Sequence, residues 1–372
     1  MLGLFRNASV VLLILFSSAV NAWAVDSRDA NVSVIENALG FQALLPTSTR
    51  NELFLGAKPY YFSPFEPLPI KISLNDRKLK GWSYIANRLI EGGASPQIVS
   101  ELLSDFRMPK NAPIFFSLAP REPRNLYRGH NTERTRLNAL RFYKKNFYYF
   151  FRASYEFQVP EGVILAILQV ETNCGSFTGK ARVLPSLLRL ADAASPDNVF
   201  RNFKRAQSAR SSATLEQVSQ RAKWLEETFL PHAIALIELA EQRAIHPLEI
   251  RGSGSGALGM PQFLPGHHFA YGVDGNSDEA IDLFSAPDAI FSVANYLNQH
   301  GWTKLDLDTP SKHAVIWHYN HSEPYIETVL ALSDSLNSGI EKIKTSIKNE
   351  LIVQSVQAPI GQIVPIGLVQ PQ

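Results

Sequence analysis

The sequence predicts a mainly α fold with little strand: one larger helical domain behind a helical and irregular N-terminal subdomain. Three observations carry this. Apolar residues recur three and four apart in windows that open on Ser or Thr with Pro and close on Gly or Pro. No segment sustains the alternation of a half-buried strand, and no internal repeat is visible. Hydrophobic residues make up 45% of the 372 and charged residues 19%, a globular balance on a chain long enough for one large domain or two.

Residues 1–24 read as an export signal. Arg6 is the positive flank, Val10 to Phe16 an apolar run, and Ala22-Trp23-Ala24 a small-x-small cleavage site. An uncleaved anchor is the alternative, but the run falls short of the ~20 apolar residues a spanning helix needs. No Cys stands beside the cleavage site to carry a lipid. The expectation is a cleaved signal and a periplasmic destination.

Residues 25–130 read as the N-terminal subdomain. An irregular wrap with Pro-rich turns from Pro59 to Pro69 leads into Trp82, Ile85, Leu89 and Ile90 at helical spacing. Ser95-Pro96 opens a second helix with Ile98, Val99, Leu102, Leu103 and Phe106 on one face, ended by Pro109. A stretch containing Pro and Arg runs from Pro113 to Arg128.

Residues 131–340 read as the larger domain. One helix is expected over 132–157, with Leu140, Phe147, Phe151 and Ser154 facing inward and Tyr148 or Tyr149 exposed. The basic and aromatic interleaving there also suits stacking on bases or sugars, but the amphipathic pattern favours the core. A second helix begins at Pro160 and exits at Gly175. Residues 192–213, polar, basic and rich in Ala and Ser, read as a loop or mobile insert. A pair of helices, 215–230 and 231–243, is expected to break at Pro231.

The glycines of Arg251 to Gly266 lead into Met260-Pro261-Gln262-Phe263-Leu264-Pro265. No Lys-Ser/Thr follows them, so this is not a phosphate loop. The use of so many glycines is close backbone approach or a tight turn. Ser285-Ala286-Pro287-Asp288 resembles a capping box with Asp in place of Glu. The helix behind it turns Ile290, Val293, Ala294 and Leu297 inward and stops at Gly301. A last helix runs from about Pro324 to Leu336. Residues 341–372 read as a disordered or loosely attached tail.

The chemistry centres on Glu171. It follows Ile164, Ile167 and Leu168 by seven, four and three residues, on their face of an almost wholly apolar helix. Desolvation and the negative end of the helix dipole both favour its protonated form. A carboxylic acid kept neutral near pH 7 suits glycosidic bond cleavage. The alternative is a solvated Glu at a helix end. The formal net charge of +2 gives no argument for nucleic acid. The single cysteine, Cys174, excludes an intramolecular disulfide. It has no Cys/His pairing signature, so it reads as an inert thiol.

Four segments in order resemble the lytic murein transglycosylase B family. They are Leu168 to Gly175 with Gly179-Lys180-Ala181-Arg182-Val183-Leu184; Gly252-Ser253 through Pro265; Asp288 to Leu297 with His300-Gly301-Trp302; and Tyr319-Asn320 with Ser322 and Tyr325. The resemblance covers about residues 75–335. It implies a lysozyme-like helical catalytic domain acting on peptidoglycan glycan strands. It implies cleavage of the MurNAc–GlcNAc bond with a 1,6-anhydro product and no organic cofactor. Glu171 would be the acid and then the base, Ser253 and Gln262 would bind the sugar, and Tyr319 and Asn320 would line the site. Asp192, Asp278, Asp288 and Glu323 are candidates for a second carboxylate. A hydrolytic muramidase on this fold, or a non-catalytic peptidoglycan-binding scaffold, are the alternatives.

Family relatives bind Ca²⁺ where this chain has Asp274, Asn276, Asp278 and Asp282, at positions 1, 3, 5 and 9 of an EF-hand-like loop. Glu279 takes the Gly position and Ser285 replaces the bidentate acid, so a solvated acidic turn is the stronger expectation. The pairs His318/His321 and His267-His268 come without a third ligand at zinc spacing and read as groove-lining or surface residues.

Overall fold

The computed structural model describes residues 78–357. The export signal, the wrap up to residue 77 and the tail from 358 lie outside the described residues. Residues 78–335 belong to one compact unit, and the helical residues from Leu336 to a second.

The fold is mainly α, as expected. The helices are α1 (Ser83–Glu91), α2 (Pro96–Ser104), α3 (Glu133–Lys145), α4 (Phe147–Phe157), α5 (Glu161–Thr172) and α6 (Val183–Ala191). They are followed by α7 (Pro196–Ser208), α8 (Leu215–Gln242), α9 (Pro265–Tyr271), α10 (Ala286–Gln299), α11 (Thr309–Tyr319) and α12 (Glu323–Gln357). The strand content named is one antiparallel pair, β1 (Ala181–Arg182) on β2 (Arg251–Gly252), with Ala181 opposite Gly252. Starts follow local chemistry. Thr132 with Thr135, and Thr214 with Gln217, form capping boxes on α3 and α8. Ser285 and Asp308 cap α10 and α11 through side-chain oxygens.

Helix α5 is the core element, flanked by α3, α4 and α10. Every residue in it is buried except Glu171. Each fully buried Ile or Leu contributes on the order of 1.5–3 kcal/mol, so the helix that carries Glu171 is firmly anchored. Helix α6 lies along α8, and α7 and α9 pack on α8 as well. Among the described residues no helix is long and apolar enough to cross a membrane.

Several boundaries differ from the sequence reading. The helix expected over 132–157 breaks at Asn146, whose side chain donates to the Phe142 carbonyl (2.9 Å). The break re-phases the inward face to Tyr143, Phe150, Ala153 and Phe157, while Phe147 and Phe151 are only half-buried. Pro231 does not divide α8. Packing against α6 and α9 outweighs the one missing N–H, and Glu227, whose carbonyl would have accepted that bond, is exposed. In α2 only Val99, Leu102 and Leu103 are buried, and Phe106 lies past the helix end, 89% exposed, with Arg107 over its ring. Helix α12 continues through residues 341–357 of the expected tail. Neither Pro nor Gly interrupts the run from Ile340 to Gln357, and pairs such as Lys344–Glu341 (3.2 Å) support it.

The largest revision concerns residues 192–213. Within this stretch only Ser195 and residues 209–213 lie outside helices. Asn198 and Asn202, one turn apart and buried on α7, grip the extended segment 114–116. Ile114 N–H donates to Asn198 (3.2 Å), Phe116 N–H donates to Asn202 (3.1 Å), and Asn202 returns a bond to the Ile114 carbonyl (2.8 Å). Ile114 then joins Ala193 and Leu225 in a small core. Buried polar residues zip a strand-like arm onto a helix here, which a hydrophobic period does not register.

Candidate active site

Helix α5 ends on a left-handed exit: Asn173 (φ +51°), Cys174 (φ +52°) and Gly175 (φ +85°). Gln169 holds it by donating to Asn173 Oδ1 (2.7 Å), and the Cys174 thiol donates to Gln169 Oε1 (3.3 Å). Burial pushes that thiol up to about 12, so it is inert near neutral pH, as expected. Thr172 Oγ1 donates to the Met260 carbonyl (2.9 Å) and accepts from Gly175 N–H (3.0 Å), fastening the helix end to the Gly-rich loop.

Glu171 Oε1 accepts a hydrogen bond from Tyr325 Oη at 2.6 Å. Burial by the surrounding protein pushes the carboxyl up to about 7; the Tyr325 bond pulls it back, and the charge of Glu122 adds to the rise. Even so, the side chain keeps partial solvent exposure. It is thus an acid that holds its proton up to near-neutral pH and still opens onto the surface.

An aromatic wall stands beside it. Tyr325 stacks on Tyr319 (centroids 6.3 Å, planes at 9°) and meets Tyr127 edge-on (6.0 Å, 79°). Burial keeps the Tyr319 and Tyr325 phenols well above their usual range, so both remain donors. Tyr319 Oη donates to the Pro261 carbonyl (2.6 Å). Its hydroxyl therefore ties α11 to the Gly-rich loop, and its ring is what faces the acid's neighbour. Asn320 is the half-buried C-cap of α11, and its side-chain amide has no hydrogen-bond partner among the described residues.

The Gly-rich loop closes through backbone contacts. Leu258 and Phe263 exchange both ladder bonds (2.7 and 3.2 Å). Ser253 Oγ accepts from Ala257 N–H (3.0 Å), leaving its own O–H to donate. Gly259 (φ +67°) lies so close to the next segment that a Cβ there would sit 2.3 Å from the Leu283 carbonyl oxygen. Gln262 adopts φ +52°, and its amide nitrogen donates to Gly259 O (2.9 Å) and Thr178 O (3.4 Å). Its Oε1 accepts nothing among the described residues. A non-Gly residue in this backbone region is a local strain of the kind found at ligand clamps.

The carboxylates considered as partners of Glu171 go elsewhere. Asp192 is buried under Asn111 (2.9 Å) and Asn198 (2.8 Å) and pushed up to about 6 by burial. Asp288 accepts from Gly275 and Asp282 N–H, and Glu323 pairs with His313 (2.7 Å). The carboxylate whose charge reaches Glu171 is Glu122, in the aperiodic Pro113–Arg128 stretch. Tyr127 belongs to the same stretch. Its only sequence signal is the Pro123 start of a short 3₁₀ turn, Arg124–Tyr127.

The His residues divide. His318 and His321 are exposed, whereas His268 is buried. His267 packs with Phe263, Tyr271, Tyr296 and His232, and burial pushes both His267 and His232 down to about 4.

The acidic loop is a self-bonded turn. Asp274 Oδ1 accepts from Ser277 N–H (2.7 Å) and Oδ2 from Glu279 N–H (2.8 Å), while Asn276 donates to Asp278 (2.8 Å). Glu279 adopts the left-handed conformation (φ +69°) that a Ca²⁺ loop gives to Gly, and Ser285 is engaged as the cap of α10. Among the described residues no three His, Cys, Asp or Glu side chains converge to hold a metal ion.

Known proteins resemble this chain in sequence and in fold. A membrane-bound lytic murein transglycosylase B of Escherichia coli (strain K12) is 34% identical over 155 residues. That stretch is 42% of this chain and 35% of the relative, so the chain spans about a third of the length of the curated protein it matches. Among solved structures, the E. coli lytic transglycosylase SLT35 in complex with bulgecin A superposes with a TM-score of 0.53 at 22% identity, over 70% of this chain and 93% of that one. The soluble lytic transglycosylase SltB1 of Pseudomonas aeruginosa gives 0.51 at 21%, over 72% and 99%. These likenesses establish the fold. The transglycosylase SLT domain family matches residues 79–307, which takes in Glu171, the Gly-rich loop and the acidic loop and stops short of Tyr319 and Tyr325. That span is more than half of the sequence, and the chain belongs to the transglycosylase SLT domain family.

Proposed function

We propose that this protein is an exported, periplasmic lytic transglycosylase that cleaves the MurNAc–GlcNAc β-1,4 bond of peptidoglycan glycan strands. The observation that carries the reading is Glu171: the one residue of α5 left unburied, with a carboxyl held near neutrality. Glu171 donates its proton to the glycosidic oxygen as the C1–O bond breaks and an oxocarbenium-like centre forms. The carboxylate then takes the C6 hydroxyl proton as that oxygen bonds to C1, closing the 1,6-anhydro ring. No water is consumed, and Glu171 ends protonated.

Ser253 O–H, Gln262 Oε1 and the free amide of Asn320 supply neutral polar contacts for the sugar without adding charge beside the acid. Tyr319 and Tyr325 present the apolar wall. The route draws on no organic cofactor, and the acidic loop is a turn of weak Ca²⁺ affinity. Residues 1–24 carry the export signal of this reading.

The test is product analysis on purified sacculi. Wild type releases muropeptides with anhydro ends, one water lighter than reducing ends. Glu171→Gln folds normally and loses release by roughly 10²–10⁴-fold. Reducing ends from wild type assign a hydrolytic muramidase instead, and undiminished release by the variant removes Glu171 from the chemistry.

A further inference from the structure

The arm that carries Glu122 has no place in the mechanism above, yet it brings one charge to the tyrosines beside Glu171. Pro120 and Pro123 bracket Arg121-Glu122, and a residue before proline is held extended. The 3₁₀ turn that follows is tethered to α12 by Arg124, which pairs with Glu327 (2.9 Å), two residues from Tyr325. At its end Tyr127, which is buried, donates its hydroxyl to the Glu122 carboxylate. The Tyr127 ring meets the Tyr325 ring edge-on at 6.0 Å, and Tyr325 Oη reaches Glu171 at 2.6 Å. An exposed carboxylate and the partly exposed acid are therefore each bonded to a phenol, and the two phenol rings touch.

We infer that Glu122 is a positioning residue for Glu171, its negative charge holding the catalytic proton on the acid across the Tyr127–Tyr325 pair. This rests on the proposed role of Glu171. The physical reason is like-charge repulsion: a second anion close by in a poorly solvated site disfavours ionisation of the first. The surroundings leave this role to Glu122. The Gly-rich loop has no charged side chain from Gly252 to Gly266. Helices α11 and α12 offer the phenols of Tyr319 and Tyr325, and the 3₁₀ turn offers Tyr127 with His130 beside it (5.8 Å). Burial holds His130 down, so it is neutral near pH 7. Glu327 on α12 is engaged by Arg124.

The test is the pH dependence of muropeptide release from sacculi by wild type, Glu122→Gln, Glu122→Asp and Glu171→Gln. In Glu122→Gln the alkaline limb, set by loss of the Glu171 proton, moves down by roughly half a pH unit. Glu122→Asp restores at least half of that displacement. A lesion of folding alone lowers the whole profile without moving the limb. An unmoved or raised limb in Glu122→Gln overturns the inference. Ionic strength gives an independent reading on the intact enzyme, because Glu122 is exposed and its charge is screened by salt. Raising salt from 0.01 M to 1 M lowers the limb in wild type and leaves it in place in Glu122→Gln; equal responses overturn the inference. Should Glu171→Gln retain wild-type release, it is the reading of Glu171 that fails. An inactive Glu171→Gln with an unmoved limb in Glu122→Gln removes the positioning role alone.

Discussion

Replacing Tyr325 by Phe removes one atom and isolates one effect. The lost hydroxyl donates to Glu171 at 2.6 Å, and a hydrogen bond to a charged acceptor is worth about 1.5–3 kcal/mol. This bond favours the ionised carboxylate, so its loss raises the pKa. At about 1.4 kcal/mol per unit, the displacement is about one to two units above the wild-type value near 7. The lower figure is expected, since the partly exposed carboxyl gains water in place of the phenol. The ring itself stays: Phe keeps the stack on Tyr319 and the edge contact with Tyr127, so the melting temperature moves by only about 2–4 °C. The assay is the rate of muropeptide release between pH 5 and 9. The alkaline limb moves upward while release at neutral pH falls, because a more basic carboxylate gives up its proton to the glycosidic oxygen less readily. A limb that stays or moves down refutes the electrostatic reasoning. Tyr325→Phe and Glu122→Gln push in opposite directions, which no general destabilisation reproduces.

Other outcomes follow from the same contacts. Gly259→Ala combines a left-handed backbone with a 2.3 Å overlap on Leu283 O, and loses about 3 kcal/mol or more in urea unfolding; wild-type stability contradicts the loop geometry. Asn202→Ala strips the Phe116 N–H and the Ile114 carbonyl of their partner and costs roughly 1–3 kcal/mol. It also frees the arm, so limited proteolysis within 114–122 quickens, and an unchanged cleavage pattern counts against the zipped arm. Calcium at 1 mM stabilises the protein by no more than about 1.4 kcal/mol, as expected for a dissociation constant no tighter than about 10⁻⁴ M. Calorimetric binding below 1 µM contradicts the self-bonded reading of the acidic loop.

The local order of the chain is legible in its residues. Glu171 on an apolar helix, the exit at Gly175, the crowded glycines of the 252–266 loop and the caps at Thr132, Thr214 and Ser285 all depend on neighbours within a few positions. Backbone sterics and short hydrogen bonds act at that range, so composition and spacing carry them. Where two local tendencies compete, spacing does not decide between them. The aromatic run at 147–151 turns Phe150 inward where its spacing predicts Phe147 and Phe151, because the break at Asn146 rests on one side-chain bond. Pro231 stayed helical because packing on α8 outweighed one absent N–H.

Tertiary structure alone decided what surrounds Glu171. Tyr325 lies 154 positions away, and Glu122 sits in a stretch with no period. The four acids within reach of a sequence argument, Asp192, Asp278, Asp288 and Glu323, are each bound to other partners. A carboxyl's pKa is set by burial, by donors at hydrogen-bond distance and by charges a few ångströms off, and sequence separation measures none of these. The residues of α5 by themselves placed an acid at the end of a buried helix. Only the fold determined that it remains open to solvent, takes a proton bond from Tyr325 and feels the charge of Glu122.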